Sequence, residues 1–485
     1  MTDGADPRKN YFWQVVCEFL TTMVSFVTMP HVTRVLGTDG MGAYTYVLTV
    51  SSYFVLLANC GIRVLGSRRI AEVRDDPDAR DRVFSGIFSM QLVLSLFAGI
   101  LFFVFCVFFA GENRALFAVF GISLVSAMLE ITWFYHGNER FFPDAAAVSV
   151  SKILFAAAVF LFVRDHDDLL LYALLFCASS ITVQAVLWAG LYKKVRFVRV
   201  PFSEWREYFR PGIALIVPLI VPTVFRTLDK LMLRGFSGDD AVGLYGAAEM
   251  LYTSLLGFII RFGDVMLPRM SHMLANGERR GAEENLSSSL RFSAFLGCAF
   301  AFGIASCADV FVPYYFGDAF SGASLTTSLF ALGIVLFSFS ETVRAQYVIP
   351  HKKDRLLVLS AAAGAGTDLV LNAVLIPLFG KNADALGLSR EAACALGAIP
   401  GTMLAETVLA LFLCVSLRRE LSAKTLLLPY LRFFLTGAGM LVLVRTVRFA
   451  LISAGISHPL ILLAAMITSG AAFYLIFTLK KVISS

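Results

Sequence analysis

Apolar blocks, each long enough to cross a bilayer as a helix, recur along this chain from Tyr11 to Leu479. A span needs about 20 residues. One such block can be a buried core helix, but a dozen or more in one chain cannot. The sequence therefore specifies an all-α polytopic membrane protein. Composition agrees: 58% of the 485 residues are hydrophobic and 16% are charged, against about 45–50% and about 25% in soluble domains. We place helices at about 10–36, 41–66, 84–110, 114–136, 144–163, 167–192, 212–233, 239–262, 289–316, 321–348, 356–380, 392–416, 428–450 and 457–480, about fourteen spans. The first block is too long for a signal-peptide core and no small-residue cleavage site follows it, so it reads as a retained span.

Connections between the blocks are alternately basic and nearly neutral. One set carries Arg68, Arg69, Arg74, Arg80 and Arg82, then Lys193, Lys194, Arg196, Arg199, Arg206 and Arg210. It continues with Arg269, Arg279, Arg280 and Arg291, then Lys352, Lys353 and Arg355, then Arg418, Arg419 and Lys424, and ends with Lys480 and Lys481. The other set holds Arg114, Arg164, Arg234, Lys381 and Arg390, with Arg445 and Arg448 near a helix end. Cytoplasmic loops carry the Lys and Arg excess. This expectation puts the chain in the cytoplasmic (plasma) membrane as a multi-pass protein with both termini in the cytoplasm. The same distribution accounts for the net charge of +6 without nucleic acid as a partner.

A repeat divides the chain. Gly37-Thr38-Asp39-Gly40-Met41-Gly42-Ala43-Tyr44 matches Gly238-Asp239-Asp240-Ala241-Val242-Gly243-Leu244-Tyr245. Each joins a span ending in charged residues to a span opening with Gly-x-Tyr. Proline marks the first helix of each half, Pro30 in one and Pro218 and Pro222 in the other, and long basic connections follow at 67–83 and 263–288. Both copies start from the same side, so the repeat is parallel, and the substrate path of such a carrier runs between its halves. The expected organisation is a six-helix lobe over 1–192, a second over 193–420, and two further helices over 421–485.

Ionisable residues within spans cost at least about 2.5 kcal/mol at the bilayer centre, so they face partners or water. Toward the outer ends lie Arg34 and the group Arg226, Asp229 and Lys230; the latter two stand three and four residues after Arg226, so the three share one helical face and can partly neutralise each other. Toward the inner ends lie Arg63, Arg261 with Asp264, and Glu341 with Arg344, both pairs at i,i+3 spacing. Near the middle lie Lys152, Glu249, Asp368 and Glu406, with Glu18 and Glu130 off centre. Inner-end residues can snorkel to the headgroups or pair between helices. The mid-membrane group and the Arg226–Lys230 group have less scope for that. Cations suit an anionic substrate, arginine as a bidentate fork for phosphate and lysine as a point charge. Asp229, Asp264, Asp368, Glu249, Glu406 and Lys152 are candidates for cation coupling or for structural ion pairs. Pro30, Pro218, Pro222 and Pro400 either kink packing partners or supply the bending elements of an alternating-access carrier.

No Gly-rich phosphate loop with its lysine occurs, so this chain is not expected to hydrolyse ATP. His31, His136 and His272 are scattered, and the eight cysteines fall within spans without metal-ligand spacing. Neither a cofactor nor a metal is implied. Every loop is short, which argues against an enzyme, although a membrane-embedded enzyme of polysaccharide assembly stays as an alternative.

The run Pro30-His31-Val32-Thr33-Arg34-Val35-Leu36-Gly37 followed by Gly42-Ala43-Tyr44 resembles the opening signature of the polysaccharide transport family. These are oligosaccharide (O-antigen and capsule repeat-unit) flippases, in the superfamily that also holds multidrug and lipid II exporters. Tyr53-Phe54, Gly61-Ile62 and Gly66-Ser67-Arg68-Arg69-Ile70-Ala71 continue the likeness. Leu371-Asn372-Ala373-Val374-Leu375-Ile376-Pro377-Leu378-Phe379-Gly380 resembles the family's eleventh helix, and the small-residue stretch leading to Thr402 and Glu406 its twelfth, after an insertion from Lys381 to Glu391. The resemblance implies two six-helix lobes around a cationic cavity, two extra helices, and transfer of an undecaprenyl-pyrophosphate-linked oligosaccharide between leaflets by alternating access. Membrane lipids, a polysaccharide polymerase and glycosyltransferases of the same pathway would be its partners. On that reading Arg34, Arg226 and Lys230 line the outer part of the path and Arg63, Arg261 and Arg344 the inner part. The alternative within the superfamily is a cation-coupled multidrug exporter.

Replacing Arg226 with alanine is expected to abolish export of polymer but leave synthesis of the lipid-linked unit intact. Surface polysaccharide unchanged on gels would remove Arg226 from the substrate path.

Overall fold

The computed structural model describes residues 7–59, 61–191 and 195–483, apart from the side chains of 7–15, 18, 202–226, 264–265, 268, 275, 279, 354, 423, 425 and 479–483. Among these residues all regular structure is helical, and the chain forms two compact units, Met1–Thr227 and Leu228–Ser485. The first unit contains α1 (Pro7–Asn59), α2 (Ile62–Glu72), α3 (Pro77–Phe108), α4 (Arg114–Met128), α5 (Thr132–Gly137), α6 (Phe142–Phe162) and α7 (Leu169–Leu191). Helix α8 (Phe202–Ala275) runs through the boundary. The second unit continues with α9 (Arg279–Phe316), α10 (Ala323–Val343), α11 (Asp354–Lys381), α12 (Ala383–Leu386), α13 (Arg390–Leu417), α14 (Ala423–Ser453) and α15 (Pro459–Ile483).

Twelve described helical stretches are long and apolar enough to cross a membrane. Two of them break at a glycine: Gly37 in α1 (φ 70°, ψ −175°) and Gly238 in α8 (φ 81°, ψ −169°), which makes fourteen segments. Positive φ is accessible to glycine without a Cβ clash. These are the two glycines that head the sequence repeat, so the repeat is also a repeat of backbone geometry. Outward side chains such as Phe103, Leu161, Val415, Phe449 and Ile476 are exposed, as lipid contact requires of apolar faces.

Several boundaries differ from those read in the sequence. The helix expected over 41–66 breaks at Gly61 (φ 71°), after which α2 carries the chain to Glu72. The basic connection expected over 263–288 is mostly helical, because α8 continues to Ala275 and α9 starts at Arg279. Charged residues such as Arg269, Glu283 and Glu284 are good helix formers, and they extend both helices beyond their apolar stretch. The helix expected over 114–136 is two, α4 and α5, with Leu129–Ile131 between them.

That last break is stabilised by side chains. Gln91 of α3, fully buried, donates from Nε2 to the carbonyls of Ala127 (2.8 Å), Met128 (3.3 Å) and Glu130 (2.9 Å). Its Oε1 accepts from Trp133 Nε1 at 3.1 Å. Non-helical backbone at membrane depth needs such internal partners, since no water replaces them. Trp133 in turn packs against Phe84 and over Gly66, where any Cβ would come within 2.7 Å of the indole.

In the second unit α14 and α15 dock on α9. Arg445 donates to Asp309 (2.7 Å) and to the Ala305 carbonyl (3.0 Å), Arg448 pairs with the same Asp309, and Tyr474 donates to the Phe295 carbonyl at 2.9 Å. The two arginines read as outer-end charges are thus anchors of the last two helices. In the turn between α13 and α14, hydrogen bonds from Lys353 and Tyr347 hold the Glu420 carboxyl below the usual carboxylate range.

Replacing Gln91 with leucine strips the Leu129–Ile131 break of its donor, at about 1–3 kcal/mol for each buried group left unsatisfied. We expect the thermal unfolding midpoint of the purified protein to fall by about 5–10 °C. An unchanged midpoint would show that the break is held by packing alone.

Candidate functional site

One polar group of the second unit is drawn from α8, α11 and α13. Asp229 and Lys230 stand on α8 before the Gly238 break, and Tyr245 and Glu249 on α8 after it. Asp368 and Asn372 are four residues apart on α11 and so share a face. Thr402 follows Gly401 on α13.

Asp229, 3% exposed, is the centre of the group. The Tyr245 hydroxyl donates to its Oδ2 at 2.7 Å, and Asn372 Nδ2 donates to its Oδ1 at 2.7 Å. Thr402 Oγ1 lies 3.4 Å from Oδ2, with the Ala398 carbonyl as its second acceptor at 3.2 Å. Asn372 Nδ2 also reaches Asp368 Oδ1 at 3.2 Å, so one amide bridges the two carboxyl groups. Two carboxyl groups held by one amide are suited to sharing a proton or a cation. The Asn372 Oδ1 atom is buried and has no hydrogen-bond partner among the described residues. Two carboxylates beside an unused amide oxygen and a hydroxyl form an all-oxygen donor set, which suits a small hard cation or a proton.

Beside this group Lys230 Nζ pairs with Glu249 Oε2 at 2.8 Å, both half-buried or better. Asp229 and Lys230 are chain neighbours, yet they turn to different partners. Arg226 and Asp264 lie outside the described side chains, so their expected contacts are not part of this geometry.

α11 and α13 approach closely enough to build the site because small residues face each other. A Cβ on Gly401 would lie 2.0 Å from Asn372 Oδ1, and one on Gly397 within 2.9 Å of the Leu375 carbonyl. Small residues at helix contacts allow such backbone approach in membranes.

Other sequence-derived candidates are dispersed. Arg34 is exposed and donates from Nη1 to the Pro30 carbonyl at 2.9 Å. Arg63 pairs with Glu130 at 3.1 Å and reaches Thr132 Oγ1 at 3.4 Å. Arg344 Nε donates to Glu341 at 2.9 Å, where α10 passes into a π-helical turn, Arg344–Val348. Arg261 is exposed on α8, and Glu406 is half-buried on α13. Lys152 of α6 lies 5.7 Å from the ring centres of both Phe155 and Phe176, a cation–π setting that lowers the cost of its charge.

Tyr245, Asn372, Thr402 and Gly401 carry no charge, and in the sequence they stand only as turn or packing positions. The i,i+4 spacing of Asp368 and Asn372 was the available signal.

A family model described as "Polysaccharide biosynthesis protein" matches residues 8–274 of the chain. A Shigella dysenteriae protein named "Putative O-antigen transporter" is 20% identical over 379 residues, covering 77% of this chain and 94% of that protein. A Shigella flexneri protein of the same name is 22% identical over 279 residues, 55% of this chain and 66% of that one. In fold, the chain is similar to the lipid II flippase MurJ in an inward closed conformation, with a TM-score of 0.75, 14% identity, and coverage of 97% and 99%. An inward-facing multidrug resistance transporter of the MATE family aligns with a TM-score of 0.57 at 16% identity, covering 84% of this chain and 96% of that one.

Gly401→Ala places a methyl group against Asn372 and should cost about 1–3 kcal/mol by overpacking. If the clash is with the amide, adding Asn372→Ala should recover part of the loss, read as a non-additive double-mutant cycle in thermal unfolding. Strict additivity would mean that the two residues do not meet.

Proposed function

The chain belongs to the polysaccharide biosynthesis protein family, and from that premise we propose that it is a flippase for an undecaprenyl-pyrophosphate-linked oligosaccharide. It would act by alternating access in the cytoplasmic membrane, with both termini in the cytoplasm. The observation that carries the substrate class is the alignment with a protein named as an O-antigen transporter over 94% of that protein's length. The fold shared with a lipid II flippase supports it. A polymerase and glycosyltransferases would supply and consume the cargo. The division into 1–192, 193–420 and 421–485 belongs to the same proposal.

In this reading Arg34, Arg226, Lys230, Arg63, Arg261 and Arg344 meet the pyrophosphate along its path. Three of them already hold acids, Lys230 with Glu249, Arg63 with Glu130 and Arg344 with Glu341. The cargo must therefore displace a carboxylate from each, which allows binding without a deep trap. Asp229, Asp368 and Asn372, with Thr402, take the coupling cation, a proton or sodium. Glu249 balances Lys230. Asp264, Glu406 and Lys152 complete the candidates for coupling or ion pairing.

A second reading, cation-coupled drug export, draws on the same buried acids. Cargo separates the two. Asp229→Asn and Asp368→Asn should each cut surface polymer at least about tenfold while the lipid-linked unit accumulates in lipid extracts, provided thermal unfolding shows an intact fold. Full surface polymer in both variants would sink the coupling role. Movement of amphiphilic cations but not of lipid-linked sugar by the reconstituted protein would favour drug export.

A further inference from the structure

At the end of the first unit that carries its basic connections, α6 and α7 enclose a groove of about 300 Å³, at the lower end of small-ligand pocket sizes. Pro143, Ala146 and Val150 line it from α6, Val186 and Gly190 from α7, and Arg140 stands at its mouth. Its walls are apolar, and Val150 and Val186 are exposed, so the groove opens on the face that apolar side chains occupy.

The groove is shaped by its floor. Tyr135 donates its hydroxyl to the Leu187 carbonyl at 2.6 Å, which satisfies its one donor. A Cβ at residue 190 would come within 2.7 Å of that oxygen, so glycine there keeps Tyr135 in place. Short side chains at Ala146 and Gly190 leave the space that longer ones would fill.

Charge at the mouth is one-sided. The nearby acids are engaged, Glu139 with Arg74 at 2.7 Å and Asp144 with His136 at 2.9 Å. Arg140 is exposed and has no acidic partner among the described residues. An apolar trough ending at an arginine matches an alkyl chain ending in a phosphate. Basic pockets between membrane helices on the cytoplasmic side bind anionic headgroups.

We propose that this groove binds an anionic glycerophospholipid of the inner leaflet, with part of one acyl chain between α6 and α7 and its phosphate at Arg140. Assignment to the inner leaflet rests on the orientation proposed above; the groove and its charge do not. None of the residues lining the groove is among those proposed for coupling.

The full chain, reconstituted in vesicles of equal phosphatidylglycerol and phosphatidylcholine, should retain the anionic lipid preferentially on re-extraction, as measured by native mass spectrometry. Arg140→Gln should reduce that preference about fivefold, the loss of one interfacial lipid–arginine attraction, whereas Arg140→Lys keeps most of it. Val150→Trp, at an exposed position, should lower retention of both lipids by filling the trough. Equal preference in wild type and Arg140→Gln would overturn the proposal. So would exclusive retention of a polyprenyl phosphate when one is offered at the same level, since the groove would then serve the cargo lipid. Retention is read without export, so a normal lipid preference in a protein that moves no lipid-linked sugar would defeat the flippase reading alone.

Discussion

Within hydrocarbon there is no water to complete a broken hydrogen bond or solvate a charge, so every departure from apolar helix must find its partner inside the protein. The described part of this chain obeys that constraint at three kinds of place. Where the backbone leaves the helix between α4 and α5, Gln91 supplies the missing donors. Where acid enters the second unit, Asp229 collects Tyr245, Asn372 and Thr402. Where two helices are added, Arg445 and Arg448 close on Asp309. Each is a polar contact between segments distant in sequence, and each fixes a helix that apolar packing against lipid-like neighbours would leave free to slide.

The two halves repeat in backbone but not in chemistry. Aligning Gly37 with Gly238 also aligns Tyr44 with Tyr245. Tyr245 gives its hydroxyl to Asp229, whereas Tyr44 lies among Tyr172, Phe120 and Phe176. In the same register Asp229 falls opposite Thr28, whose hydroxyl returns to the Val24 carbonyl of its own helix. The acid of one half is thus replaced in the other by a hydroxyl that its own helix satisfies. The first unit keeps charged groups of its own, Lys152 beside two rings and Arg63 on Glu130.

The span count, the all-helical class and the place of the two breaks were legible because hydrophobic length and glycine spacing are local signals. The split of the fourth span was not, since neither glycine nor proline marks 129–131 and the cause, Gln91, sits on another helix. The candidate site was half legible. Its charges, Asp229, Lys230, Glu249 and Asp368, stand out in any apolar sequence. Its neutral members do not: Asn372 and Thr402 are ordinary in a membrane helix, and only their approach to Asp229 across α8, α11 and α13 gives them a role. Pairing was the hardest part to read. Chain spacing groups Lys230 with Arg226 and Asp229 on one helical face, yet its partner is Glu249, on the far side of the Gly238 break.

That last pairing links the site to the backbone. Tyr245–Asp229 and Lys230–Glu249 are both contacts between the two arms of α8, and both cross the break at Gly238. A cation taken up at Asp229 competes with the Tyr245 hydroxyl and the Asn372 amide for the same two oxygens. An anionic cargo drawn to Lys230 competes in the same way with Glu249. On the proposed function, each ligand therefore loosens one of the two contacts that set the angle between the arms, and glycine at the break is free to change that angle without a side-chain clash. A ligand shifts a conformational equilibrium only by its differential affinity for the two states. On that same proposal the differential would arise where ligand and helix arm contend for the same atoms, coupling cation and cargo through one hinge rather than through a path of intervening contacts.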